Sequence, residues 1–131
     1  MIATTTYALD ASALLAVLHR EPGSGIVLPL VDRSVMSTIN WSETVQKTAA
    51  RGVSTAGLRG DVEAVGLRIL PFTVDEAEIA AALWTRTRHL GLSLGDRACL
   101  ALGRRLGLWV VTADRAWTTL DLGVPILAIR A

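Results

Sequence analysis

The sequence predicts an α/β domain with a mostly parallel sheet. Three observations lead there. Short apolar strands alternate with helical segments along the chain. The strands are apolar throughout, as strands are when helices cover both faces of their sheet. Turn formers punctuate the pattern, with no internal repeat, low-complexity tract or linker.

Taken in order, Tyr7 to Leu9 is a short strand running into Asp10. Ala11 to Leu18 has helical composition, and Pro22-Gly23 breaks it. A second short helix is expected from Ser24 to Val31, and a strand from Ser34 to Ser37. Asn40 to Arg51 reads as a helix, Arg51 to Gly60 as a turn-rich break, and Thr55 to Val65 as another helix. Arg68 to Phe72 is β-like. Thr73 to Leu90 reads as one long helix, opened by a Thr73/Glu76 capping box. Gly95 to Leu106 is a helix closed by Gly107. Trp109 to Thr112 is a strand, Asp114 to Leu120 a short helix, and Ile126 to Ile129 a last strand.

The 131 residues make one domain by length, 1–131. A chain this size buries about two-thirds of its unfolded surface, and a 51% hydrophobic composition can fill that core. The single cysteine, Cys99, excludes an internal disulfide and suits a reducing compartment. Asp10 interrupts the first apolar stretch, no basic region precedes it, and a signal peptide is not expected. The longest apolar runs, such as Ala13 to Leu18 and Leu106 to Val111, fall far short of the roughly 20 residues that span a bilayer. A soluble cytoplasmic protein is expected, with no membrane contact. The net charge is +1, and Lys47 is the only lysine among thirteen basic residues. Arginine suits phosphate recognition, but a GC-rich genome also favours its codons.

Four acids stand where chemistry is expected in such a sheet, outside the carboxyl ends of the strands. Asp10 and Asp114 follow strands. Glu43 and Asp96 lie in the first turns of helices. Each alone fits an ordinary cap: Asp10 and Asp114 as N-caps, Asn40/Glu43 and Ser93/Asp96 as capping boxes. Caps scattered around a fold need not face one another, whereas these positions share one sheet edge. Crowded carboxylates repel and raise one another's pKa values, and a divalent cation reverses that penalty. Oxygen-only ligands suit magnesium or manganese. His19 and His89 are far from the acids in sequence, and no Cys–His cluster points to zinc. Ser12, two residues after Asp10, and Thr112, two before Asp114, could hold a metal-bound water, orient a carboxylate or simply bond a turn.

The segments LDASALLAVLHREPG, NWSETVQK, SLGDRACLALGRRLG and VVTADRAW, in this order and spacing, resemble a PIN domain of the VapC toxin type. The resemblance implies a five-stranded parallel sheet in 3-2-1-4-5 order. It implies an acidic quartet, Asp10, Glu43, Asp96 and Asp114, that binds one or two Mg²⁺ or Mn²⁺ ions, with Thr112 as the hydroxyl beside the last acid. It further implies hydrolysis of RNA, a cognate VapB-like antitoxin partner and a homodimer. Trp41 is bulkier than expected near the site entrance. Setting the quartet aside leaves thirteen basic residues against eight acids, an excess that attracts RNA, with Arg97 and Arg115 beside two of the ligands.

His19 and His89 near helix C-termini suit capping, and Cys99 suits the core. Trp84, Trp109 and Trp117 suit core or interface positions, with Trp84 the interface candidate. Two other functions compete. A phospho-acceptor receiver domain shares acids at strand ends, but it needs a lysine after the last strand, and Lys47 lies in a helix. A catalytically silent binding module of the same fold would have lost one or more of the acids, and all four are here.

Overall fold

The apolar triplets and quartets of the sequence become five strands: β1 (Tyr7–Leu9), β2 (Ser34–Ser37), β3 (Arg68–Leu70), β4 (Trp109–Thr112) and β5 (Ile126–Ala128). The computed structural model describes residues 4–130. All pairings are parallel, and the order is β3-β2-β1-β4-β5, as the resemblance implies. The register sets Ala8 beside Val35 and Val110, and Leu9 beside Val111. Successive side chains leave a strand on opposite faces. Ala8, Val35 and Val110 therefore pack one core with Leu100 and Leu102, while Leu9, Met36 and Val111 pack a second with Leu14, Val27 and Val62. Two buried faces explain why the strands are apolar without alternation.

Between the strands run α1 (Ala11–Leu18), α2 (Ser24–Val27), α3 (Thr38–Ala50), α4 (Leu58–Val65), α5 (Val74–Ala82), α6 (Trp84–Thr87) and α7 (Leu94–Leu106). The second expected helix is shorter than Ser24 to Val31, because a 3₁₀ turn at Leu28–Arg33 takes over where Pro29 enters. Helix α3 starts at Thr38, with Ser37 as its cap. Asn40 is thus inside the helix, and the expected Asn40/Glu43 capping box does not form. The segment expected as one helix from Thr73 to Leu90 is broken at Leu83 and continues as α6 and a 3₁₀ turn at Arg88–Leu90. Thr73 does cap α5, accepting from the Glu76 amide at 3.1 Å. The fully buried Glu76 carboxylate accepts from the Thr73 hydroxyl at 3.1 Å and from the Arg105 guanidinium at 2.7 Å, the latter an ion pair that ties α5 to α7. Helix α7 ends on Gly107 at φ 67°, a left-handed C-cap that glycine adopts without strain. The segment after β4 is a 3₁₀ turn, Arg115–Thr119, capped by Asp114.

His19 caps α1, as expected, and Trp117 and Cys99 are core residues. Trp84 and Trp109 are half-exposed, with Arg88 stacked over the Trp84 ring. Trp41 packs against the second core, which accommodates its bulk there. No helix among the described residues is long and apolar enough to cross a membrane.

Candidate active site

The topology that buries β1 in mid-sheet also decides where its last residue goes. Asp10 leaves the carboxyl end of β1, next to β4, and its amide donates to Val111 O at 3.1 Å. Its carboxylate is buried and fully engaged. Oδ1 accepts from Ser12 Oγ at 2.7 Å and from the Ala13 amide at 2.9 Å, while Oδ2 accepts from Thr112 Oγ1 at 2.6 Å. Both hydroxyls singled out in the sequence therefore orient this carboxylate. Ser12 also accepts from the Ala113 amide at 2.9 Å, and Thr112 from the Asp114 amide at 3.0 Å. The two strand ends are stitched together by these side chains.

Burial dominates the electrostatics of Asp10. Loss of water pushes its pKa from 3.8 up to about 6, against the pull of Ser12, Thr112 and the Ala13 amide, and Asp96 adds a smaller rise. Glu43 reaches the same edge from the second turn of α3. Partial burial pushes its carboxyl above the ordinary range, Lys47 pulls it back, and Asp96 raises it again. The Cys99 thiol, pushed far up mainly by burial, also feels Asp10, Asp96 and Glu43. Asp96, at the start of α7, is thus within electrostatic reach of both Asp10 and Glu43.

Asp96 sits in that first turn in a complete capping box. Its Oδ2 accepts from the Ser93 amide at 2.9 Å, and its own amide donates to Ser93 Oγ at 3.2 Å. Asp114 is exposed and caps its 3₁₀ turn, accepting from the Ala116 amide at 2.9 Å; Thr112 links it to Asp10. The capping roles are real for these two residues. Among the described residues, no three acidic, histidine or cysteine side chains gather closely enough to hold a metal ion. Asp96 and Asp114 lean onto local backbone N–H donors, while Asp10 is held mainly by hydroxyls and Glu43 by Asn40 and Lys47. In donor chemistry and charge the set still suits a hard divalent cation. All the donors are oxygen, and two carboxyls carry a desolvation and repulsion penalty that a cation relieves.

Two residues shape the site in ways the sequence does not show: Asn40, expected as a cap, and Gly95, expected only as the start of a helix. Asn40 is buried, and its Nδ2 donates to Gly95 O at 3.0 Å and to Glu43 Oε1 at 3.4 Å, bridging α3 to α7. Its Oδ1 is buried without a hydrogen-bond partner. Gly95 is needed because a Cβ there would run into the Glu43 carboxylate, 2.7 Å from its Cδ. We expect Gly95→Ala to leave stability within about 1 kcal/mol, since alanine favours a helix and the obstructed group is a flexible side-chain end. It should cost activity at least about tenfold by displacing Glu43. Thermal melting and turnover on one preparation check this together.

Arg115 is exposed beside Asp114. Arg97 is half-buried, and one of its guanidinium nitrogens donates to Ala80 O at 2.8 Å.

The PIN domain family model matches residues 7–121. Among solved structures, DNA-bound VapBC from Salmonella typhimurium contains a chain that is similar at 18% identity and TM-score 0.74, over 96% of this chain and 99% of that one. A toxin–antitoxin complex from Klebsiella pneumoniae is similar at 17% identity and TM-score 0.73, over 95% and 98%. VapC20 of Mycobacterium tuberculosis, a toxin that cleaves the sarcin–ricin loop, is similar at 18% identity and TM-score 0.70, over 92% and 100%. At these identities the likeness is one of fold. No curated protein matches the sequence.

Proposed function

Because the chain belongs to the PIN domain family, we propose that it is a metal-dependent endoribonuclease toxin of the VapC type, acting in the cytoplasm and held inactive by a cognate VapB-like antitoxin. What supports this reading is the placement of these acids at the carboxyl edge of a parallel sheet: Asp10 ends β1, Glu43 is tied to the start of α7 through Asn40, and Asp96 in that first turn is within electrostatic reach of both. Asp114 joins them through Thr112.

In this reading the quartet Asp10, Glu43, Asp96 and Asp114 would hold one or two Mg²⁺ or Mn²⁺ ions, which supply Lewis-acid charge at the phosphate and a low-pKa water. The chain's own residues supply position. Ser12 and Thr112 fix the Asp10 carboxylate from both sides, and Asn40 steers Glu43 toward α7. Asp96 is placed by the first turn of α7, whose N–H groups favour negative charge. Arg115, and less directly Arg97 with one nitrogen already on Ala80, would draw the RNA backbone in. Water attacks phosphorus, the bond to the 3′-oxygen breaks, and that oxygen leaves with a proton. The ends are therefore a 5′-phosphate and a 3′-hydroxyl.

The antitoxin and a homodimeric toxin are proposed from the family together with the likeness of fold to VapBC complexes. Incubation of pure protein with total RNA tests the activity. Cuts bearing 5′-phosphates are expected with Mg²⁺ or Mn²⁺, and none with EDTA. Cuts that persist in EDTA and leave 2′,3′-cyclic phosphates would overturn the mechanism, and intact RNA under all conditions would overturn the activity.

A further inference from the structure

A cleft of about 350 Å³ opens directly beside the acidic edge. Ser12 lines its near end, and the same residue donates to Asp10. Its walls are one side of α1, from Ser12 through Leu15 to His19, and the C-terminal end of α3, and Arg130 reaches in from beyond β5. Three permanent cations line it, Lys47, Arg51 and Arg130, against one carboxylate, Glu21.

These cations are not arranged at random. Glu21 accepts from Arg51 at 2.7 Å and faces Arg130 at 3.7 Å, so one acid holds two guanidiniums at the cleft. Arg130 is further fixed by donating to Pro22 O at 2.9 Å. Lys47 stands 3.9 Å from Glu43 of the acidic edge and also lines the cleft, so it spans both. His19 lines the wall with its Nε2 3.3 Å from Thr48 Oγ1. The positive excess here contrasts with the carboxylates next door. A polyanion that must approach four acids gains most from cations set immediately to one side.

We propose that this cleft is a phosphate subsite of the ribonuclease: it binds a backbone phosphodiester of the RNA strand outside the scissile linkage, through Lys47, Arg51 and Arg130. The proposal rests on the ribonuclease reading and deepens it. Glu21 is a positioning residue that orients the two arginines. The cleft binds phosphates and so carries no base preference, contributing affinity and strand register.

The test uses steady-state kinetics with metal present. One substrate is a single-stranded RNA carrying several phosphates on both sides of a cleavage site mapped in total RNA, and the other is trimmed to the scissile linkage. Arg51→Gln and Arg130→Gln, neither of which touches the acidic quartet, are each expected to raise KM about tenfold on the long RNA, with kcat little changed. Each should lower the dependence of log affinity on log salt by about 0.7, one phosphate contact on a single strand. On the trimmed RNA neither variant should matter. Arg59→Gln, an equal charge change on α4, is the control and should leave both substrates untouched; Arg51→Lys should restore part of the loss. If the unmutated protein cuts RNA and both glutamine variants match it on the long substrate, the subsite is overturned and the ribonuclease reading stands. The subsite is likewise overturned if both substrates suffer alike, or if only capture of an acidic partner peptide is weakened. If the unmutated protein cuts no RNA, the reading fails and the subsite with it.

Discussion

Asp96→Asn is expected to lower RNA cleavage by at least about a hundredfold, a loss larger than that from disturbing a ligand's hydrogen-bond partners alone, while the protein stays folded. Both halves follow from where the side chain sits. Its Oδ2 accepts from the Ser93 amide, and an asparagine oxygen can make the same bond, so the first turn of α7 remains capped. What asparagine removes is the charge that Asp10 and Glu43 both feel at the acidic edge. Circular dichroism and turnover on the same preparation check it. Full activity in a well-folded variant would remove Asp96 from the catalytic group.

The second large effect concerns stability. Asp10 titrates at about 6 in the folded chain against 3.8 ordinarily, so between those values the folded state holds more protons than the unfolded one. Stability therefore falls as pH rises from about 4 to about 6 and stays lower above that, by about 3 kcal/mol for a shift of this size. A bound divalent cation should cancel that loss. Binding to the native state alone contributes about 2.7 kcal/mol at one hundred times Kd. Millimolar Mg²⁺ or Mn²⁺ should raise Tm at neutral pH by about 4 °C or more, beyond a NaCl control of matched ionic strength. Asp10→Asn should show three changes together: a higher metal-free Tm at neutral pH, little change near pH 4, and a smaller gain from metal. Equal shifts from metal and NaCl in the unmutated protein would mean that the four acids form no metal site.

The strands are legible in the sequence because burial on both faces leaves one solution, an unbroken apolar run, and Tyr7 to Leu9 and Trp109 to Thr112 match within the residue. The Ser93/Asp96 box is legible because both partners lie within one turn. Other features depend on contacts between distant parts of the chain. The bond from Asn40 to Gly95 O spans 55 positions, and neither residue type announces it. Asn40 has the look of a cap because caps favour asparagine, but Ser37 sits earlier in the chain and takes that place. The break at Leu83 carries no proline or glycine. Glu76 has the spacing of the return half of a capping box and does accept from the Thr73 hydroxyl, but nothing in the sequence announces Arg105, 29 positions on, as its ion-pair partner. The acidic edge itself is legible as positions, while the partners that orient each carboxylate, such as Thr112 for Asp10, are not.

The pairing of β1 with β4 also sets a clock. Asp10 gains its Thr112 bond across 102 residues of chain, and β1 lacks one of its two neighbouring strands until β4 exists. On a translating ribosome, the first acid is made almost at once and the stretch that orients it arrives near the end of the described chain. Parallel strands so far apart in sequence cannot pair early. Until Trp109 to Thr112 have been made, the nascent chain has neither a finished sheet nor a finished edge of carboxylates, and a prematurely terminated product that ends before Trp109 shares that state.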